Sequence, residues 1–315
     1  MTTTETRPPA PPGLKRPLRS RPSRMGRAPQ DTPANIWHYV LLSVMFLFGV
    51  FPLYWMVVIA TGTDADLAAI PPKLTPGSSL MTNLNEVFCS EFPLASGTCD
   101  TGEVYFFAGM INSLVVSIVV TASVLFFCAL AGFAFAKLRF KGRNALMVVI
   151  ILTVTIPNQL GIVALYIVMG KLGWNGTLLA VMVPGLVTAF GVFYMRQFTV
   201  EAVPDELVEA ARVDGASTMR MFFSVVVPAL RPALAVLGVL TFVATWTDFL
   251  WPFITLNNSD TPTVMVSLSD LASGNYVRYR RVLSGALLAT LPLLLVLVFG
   301  GRHIVRGIME GAVKQ

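Results

Sequence analysis

The sequence predicts an all-α integral membrane protein with six transmembrane helices. Three observations carry this. Of 315 residues, 55% are hydrophobic and only 13% charged, whereas soluble domains carry about 25% charged residues. The apolar residues gather into six long runs almost free of Asp, Glu, Lys and Arg, each long enough to cross about 30 Å of hydrocarbon. The Lys and Arg residues fall between those runs, where they set orientation in a bilayer. The same composition excludes an ordinary soluble enzyme and a disordered chain. The net charge of +6 is thus a matter of topology, and no nucleic-acid partner is expected.

Residues 1–35 read as a disordered basic tail, with Arg7, Lys15, Arg16, Arg19, Arg21, Arg24, Arg27 and eight prolines. Such a segment cannot bury a core. The apolar run behind it is too long for a cleavable signal peptide. That run, 36–60, is the first span, and 61–105 is an extracytoplasmic loop. The core of the transmembrane region is 106–302. Its spans are expected at 106–136, 145–169 with Pro157 inside, 177–195 with Pro184 inside, 232–256 with Asp248 inside, and 282–301 with Pro292 inside. Prolines are tolerated in membrane helices where neighbouring helices or water satisfy the freed carbonyls. Residues 303–315 read as a second tail.

Six spans put both termini on one side. That side carries eighteen Lys and Arg: the tail, Lys137, Arg139, Lys141, Arg143, Arg196, Arg212, Arg220, Arg231, Arg302, Arg306 and Lys314. The other carries five: Lys73, Lys171, Arg278, Arg280 and Arg281. Both termini are therefore expected in the cytoplasm. The Arg278–Arg281 cluster runs against the rule and is read as part of an external loop.

The 61–105 loop holds Cys89 and Cys99. An exported loop is oxidising territory, so the two are expected to form a disulfide, with two free cysteines as the alternative. Cys128 falls mid-span and reads as a small packing residue.

Catalytic chemistry is hard to find. His38 and His303 stand at opposite ends of the spanning region. No His, Cys, Asp and Glu spacing of a metal site occurs. No Gly-x-Ser-x-Gly elbow is present. None of the six lysines lies in a P-loop, so ATP cannot bind here through one. Asp248 is the one acid within a span, slender support for a proton or sodium relay. Asn112, Trp246 and Asp248 are candidates for a polar substrate pathway, with an acid reaching external water as the alternative for Asp248.

Residues 199–232 are unlike any other loop. Pro204 suits a first helical position, and Glu201, Asp205 and Glu206 favour a helix N-terminus. The helix should pass Arg212 and end at Gly215. A second helix should run over about 217–226 and stop at Pro228. Leu207, Ala210 and Ala211 are expected on one face of the first; Met219, Phe222, Phe223 and Val226 on one face of the second. Two short amphipathic helices joined by a sharp turn make a knob suited to a groove on a partner. A hairpin lying on lipid should have a strongly basic polar face. This one mixes Glu201, Asp205, Glu206, Glu209 and Asp214 with Arg212 and Arg220, which favours a protein partner.

Here the chain resembles a family. Glu209-Ala210-Ala211, then Asp214-Gly215-Ala216, then Pro228 match the EAA motif of ABC importer permeases, whose fold is called MetI-like. The string is similar to the MalG-type subunits of the carbohydrate-uptake branch. Further matches are Asn112-Ser113-Leu114, Ala134 to Phe140, Ile156-Pro157, Phe193 to Phe198, Trp246 to Pro252 and Gly311 to Lys314. Thr247 stands where the family favours Asn, and Ala164 where a proline is frequent.

The resemblance implies a permease subunit of a binding-protein-dependent importer for a sugar, and not an enzyme. It would sit in the plasma membrane of a bacterium or archaeon, among lipid. Its implied partners are an ABC ATPase dimer, a second homologous permease and an extracytoplasmic solute-binding protein. ATP and Mg would be held by the ATPase, with no cofactor on this chain. By the same carry-over, Glu209 makes a charged contact with the ATPase, Ala210 and Ala211 give close approach, and Asp214 and Gly215 form the turn. The alternatives are a peptide or amino-acid importer of the same fold, a gradient-coupled carrier and a membrane enzyme.

Overall fold

In the computed structural model, the described residues are 35–88, 104–256, 260–273 and 277–313, with side chains through Gly301. Cys89, Cys99 and the basic tail before Asn35 lie outside them. The described residues contain fourteen α-helical stretches, counting Thr218–Ala229 with its π turn as one, two short 3₁₀ helices and no strand. The chain divides into two units, residues 1–51 and 52–315. Helix α1 (Ile36–Thr61) begins in the first and ends in the second. In the first unit its side chains from Ile36 to Phe48 are exposed almost without exception and nearly all apolar, as lipid-facing residues should be.

In the second unit, α2 (Asp64–Ala68) and α3 (Leu80–Phe88) occupy the predicted external loop. Thr63 caps α2 by accepting from the Asp66 backbone N–H, and Asp66 returns the bond to the Thr63 N–H, a capping box. Helix α4 (Phe106–Lys137) is the second span and the hub of the unit. It packs on α8 (Ala189–Ala202), α11 (Arg231–Trp246) and α13 (Val264–Leu271). Close approach to α8 depends on Gly132. A Cβ there would lie 2.7 Å from the Met195 Cβ and 2.8 Å from the Arg196 backbone nitrogen. Small residues at helix crossings do this in membranes, where packing replaces the hydrophobic drive. Cys128 is fully buried beside the same crossing, as the packing role predicts.

Three expected spans are interrupted. The 145–169 run forms α5 (Arg143–Thr155) and α6 (Ile162–Lys171), at 93° across a 3₁₀ turn at Asn158–Gly161. Pro157 is the cause: it pushes Ile156 into an extended conformation, ψ 121, and cannot donate back into the ladder. The fourth span begins as α7 (Leu178–Met182), tightens over Val183–Gly185 around Pro184 and continues as α8. The 232–256 run is not one helix either. Helix α11 stops at Trp246, and α12 (Leu250–Thr255) begins after a break. An unbroken helix would need a Pro252 N–H to bond the Asp248 carbonyl, and proline has none. The last span is α14 (Tyr279–Val313), which starts three residues before the prediction and carries helix through the segment read as a tail. By length and composition four helices among the described residues can cross a membrane, or six if the bent stretches 143–171 and 218–246 each count as one span.

Candidate functional site

The predicted knob is built on α9 (Asp205–Val213) and α10 (Thr218–Ala229). Pro204 precedes the helix, with φ −58 and ψ 147, instead of opening it. The start of α9 is tied to the end of α4: Lys137 Nζ lies 2.6 Å from Asp205 Oδ1. The lysine side chain is 6% exposed and the aspartate 78%. A cation at a helix C-terminus and an anion at a helix N-terminus each complement the local dipole. Lys137 holds the Asp205 carboxyl below the usual carboxylate range, with Arg139 adding to the effect.

The faces of α9 differ from the expectation. Val208 is buried, and Ala211 packs against the same core. Leu207, Glu209, Ala210 and Val213 are exposed. Leu207 and Ala210 therefore form an outward strip, and Ala211 belongs to the inner face. Adjacent residues lie about 100° apart on a helix, so Ala210 and Ala211 divide between the two faces. The strip is apolar and flanked by Glu206 and Glu209, both exposed.

The turn is closed by backbone bonds. Gly215 N–H donates to the Arg212 carbonyl at 3.0 Å and Ala216 N–H to the Ala211 carbonyl at 2.9 Å. Gly215 takes φ +74. This is a Schellman motif, whose left-handed residue favours glycine. Ser217 then caps α10 by accepting from the Arg220 N–H. Met221, Phe222 and Val226 are buried, while Met219 and Phe223 are more than half exposed. Pro228 does not stop this helix. The preceding turns widen to a π geometry over Phe222–Val226, and a widened turn gives the proline ring room. The chain then bends by 80° around Leu230 into α11.

The other predicted site residues are engaged elsewhere. Asn112 Nδ2 donates to the Pro262 carbonyl at 2.9 Å, and the neighbouring Ser113 Oγ accepts from the Val264 N–H at 2.8 Å. Trp246 is 2% exposed, and its Nε1 donates to the Ala289 carbonyl at 3.0 Å. Asp248 is half-buried in the break between α11 and α12. No hydrogen bond joins any two of Asn112, Trp246 and Asp248 among the described residues. No group of three or more His, Cys, Asp or Glu that could hold a metal ion occurs among them either.

Two features escape sequence reading. Lys137 and Asp205 are 68 positions apart. The second is a clasp at the start of α14. Arg280 pairs with Asp64 at 2.9 Å and with Glu86 at 2.7 Å. It also donates to Asn83 Oδ1, whose Nδ2 bonds the Ala60 and Gly62 carbonyls. The charge cluster was visible in the sequence. Its placement corrects the reading, because Arg280 and Arg281 lie in the first turn of a helix and not in a loop.

Known proteins resemble this chain over most of its length. A family model described as "Binding-protein-dependent transport system inner membrane component" matches residues 126–310. The lactose transport system permease protein LacG of Rhizobium radiobacter is 36% identical, covering 89% of this chain and 96% of that protein. The sn-glycerol-3-phosphate transport system permease protein UgpE of Pectobacterium atrosepticum is 33% identical, covering 88% and 96%. The crystal structure of a bacterial ABC transporter involved in the import of the acidic polysaccharide alginate aligns with a TM-score of 0.73 at 19% identity. That alignment covers 85% of this chain and 95% of the other, and the two share a fold.

Proposed function

The chain belongs to the family of binding-protein-dependent transport system inner membrane components, and from that premise we propose that it is one permease subunit of an ATP-driven importer for a sugar. It is a multi-pass membrane protein and a transport component, not an enzyme. The observation that carries the sugar reading is the 36% identity to a lactose permease along 89% of the chain. The relative named for sn-glycerol-3-phosphate supports a second reading, import of a non-sugar solute on the same fold.

In the proposed complex, this subunit and a second permease line one pathway, with an ATPase dimer on the cytoplasmic side and a solute-binding protein outside. ATP and Mg belong to the ATPase. Both termini face the cytoplasm, as the Lys and Arg asymmetry supports. The knob of α9 and α10 docks in a cleft on the ATPase. Glu209 supplies charge there, and Leu207 and Ala210 supply the apolar contact. Ala211, Asp214 and Gly215 keep the turn in shape. Asn112, Trp246 and Asp248 stay assigned to the pathway wall, Trp246 as a buried support.

The test is purification of the tagged chain in mild detergent from its native membrane, with mass spectrometry of what accompanies it. A P-loop ATPase, a second six-span permease and a binding protein are expected. The binding protein is then run against lactose, other mono- to oligosaccharides, and glycerol phosphate. Recovery of the chain alone, under conditions that preserve a control ABC complex, overturns the reading.

A further inference from the structure

Arg278, just before α14, and Arg280 and Arg281 in its first turn carry three guanidinium groups that the transport reading does not use. Arg280 is engaged through Nε by Asp64 and through Nη1 by Glu86 and Asn83. Arg278 Nη1 lies 3.7 Å from Glu86 Oε2. Arg281 is different. It is 6% exposed and feels the Glu86 charge, but among the described residues neither its Nε nor its Nη2 has a hydrogen-bond partner.

Among the described residues the charges do not balance. Asp64 and Glu86 are the acids paired in this cluster, against three guanidinium groups. The surplus cation falls on the most buried of the three. An arginine cannot shed its proton to escape burial, and an unpaired buried charge is strongly destabilising. The helix N-terminus adds positive potential to the same spot. The two unpartnered nitrogens are also the pair on one edge of the guanidinium. Their N–H bonds run parallel and match two oxygens of a carboxylate or a phosphate.

We propose that Arg281, with Arg278 and the first turn of α14, binds an oxyanion, a carboxylate or a phosphate. The site lies far from the knob. Gly285, one turn along α14, sits against Leu271 and Phe106. Phe106 opens α4, whose other end holds α9 through Lys137. The anion therefore enters at the end of α4 away from the knob, either as a soluble anion or as a lipid headgroup. The proposal does not depend on the identity of the transported solute.

The test is thermal unfolding of the purified full chain in uncharged detergent at constant ionic strength. Sodium phosphate and sodium glucuronate are titrated against sodium chloride. A parallel series uses bilayer discs of phosphatidylglycerol or of phosphatidylcholine. The wild type should gain a saturable rise in Tm with phosphate, glucuronate or phosphatidylglycerol. Arg281→Gln should lose that rise. Without anion, Arg281→Gln should be at least as stable as wild type, because it removes an unpaired charge, whereas a purely structural arginine would lose stability. If that variant does not fold, Arg281→Lys is read instead. It keeps the charge but not the paired edge, and half-saturation should rise by about tenfold or more. A response to the soluble anions marks a small-anion site, and one to phosphatidylglycerol alone marks a lipid site. No saturable rise from any probe, or an equal rise in the variant, overturns the proposal.

Discussion

Lys137, the last residue of α4, reaches Asp205, the first residue of α9, across 2.6 Å. The hub helix of the unit is thereby fastened to the start of the knob. Asp205→Asn should reduce ATP-coupled uptake in reconstituted vesicles a few-fold while leaving the complex assembled. Lys137→Met should do the same, and the double variant should be no worse than either single one. Additive losses would mean that the two residues act separately.

The same pair predicts a pH response. Lys137 lowers the Asp205 carboxyl in the folded chain, so the stabilisation is complete above the ordinary carboxylate range. It is lost as pH falls through the lowered value. Tm of the purified chain should drop on acidification, and Asp205→Asn should remove part of that drop. An identical acid profile in the variant would show that the pair is not linked to folding.

Gly215 holds φ +74 at the turn. Gly215→Ala should destabilise the turn by about 1 kcal/mol, and Gly215→Asn by less. The readout is ATPase binding by the detergent-solubilised chain, which should weaken in that order.

Glu209 is exposed on α9. Glu209→Lys should abolish or uncouple ATPase association without changing the helical circular dichroism or Tm of the isolated chain. Normal binding and normal transport in this variant would sink the docking model.

Trp246 spends its single N–H on the Ala289 carbonyl. Trp246→Phe should cost about 1 kcal/mol of stability, measured as a lower Tm, and leave KM for uptake unchanged. A large rise in KM would place the ring against the solute instead.

Much of this was legible from residue order alone. Six runs nearly free of charge announce spans because a bilayer core accepts little else, and Gly215 announces its turn because few residues take positive φ. The bends were not legible. Pro157 and Pro184 both fall inside apolar runs, yet one produces a 93° break and the other a local tightening within a continuing span. Which occurs depends on neighbours that sequence does not list. The faces of α9 were misread for a related reason. Leu207 is apolar but half exposed, while Val208 fills the core. Pairs such as Lys137 with Asp205 lie too far apart in sequence for any local period to report.

The bend at Leu230 has a mechanical consequence. Helix α10 is continuous from the Gly215 turn to Ala229, and α11 leaves it at 80° to pack along α4. Leu230, 1% exposed, is embedded at the corner between the two arms. On the proposed docking, a push delivered along α10 would meet α11 at nearly a right angle and not along its axis. A stroke at the knob would then load α11 sideways, against its neighbours.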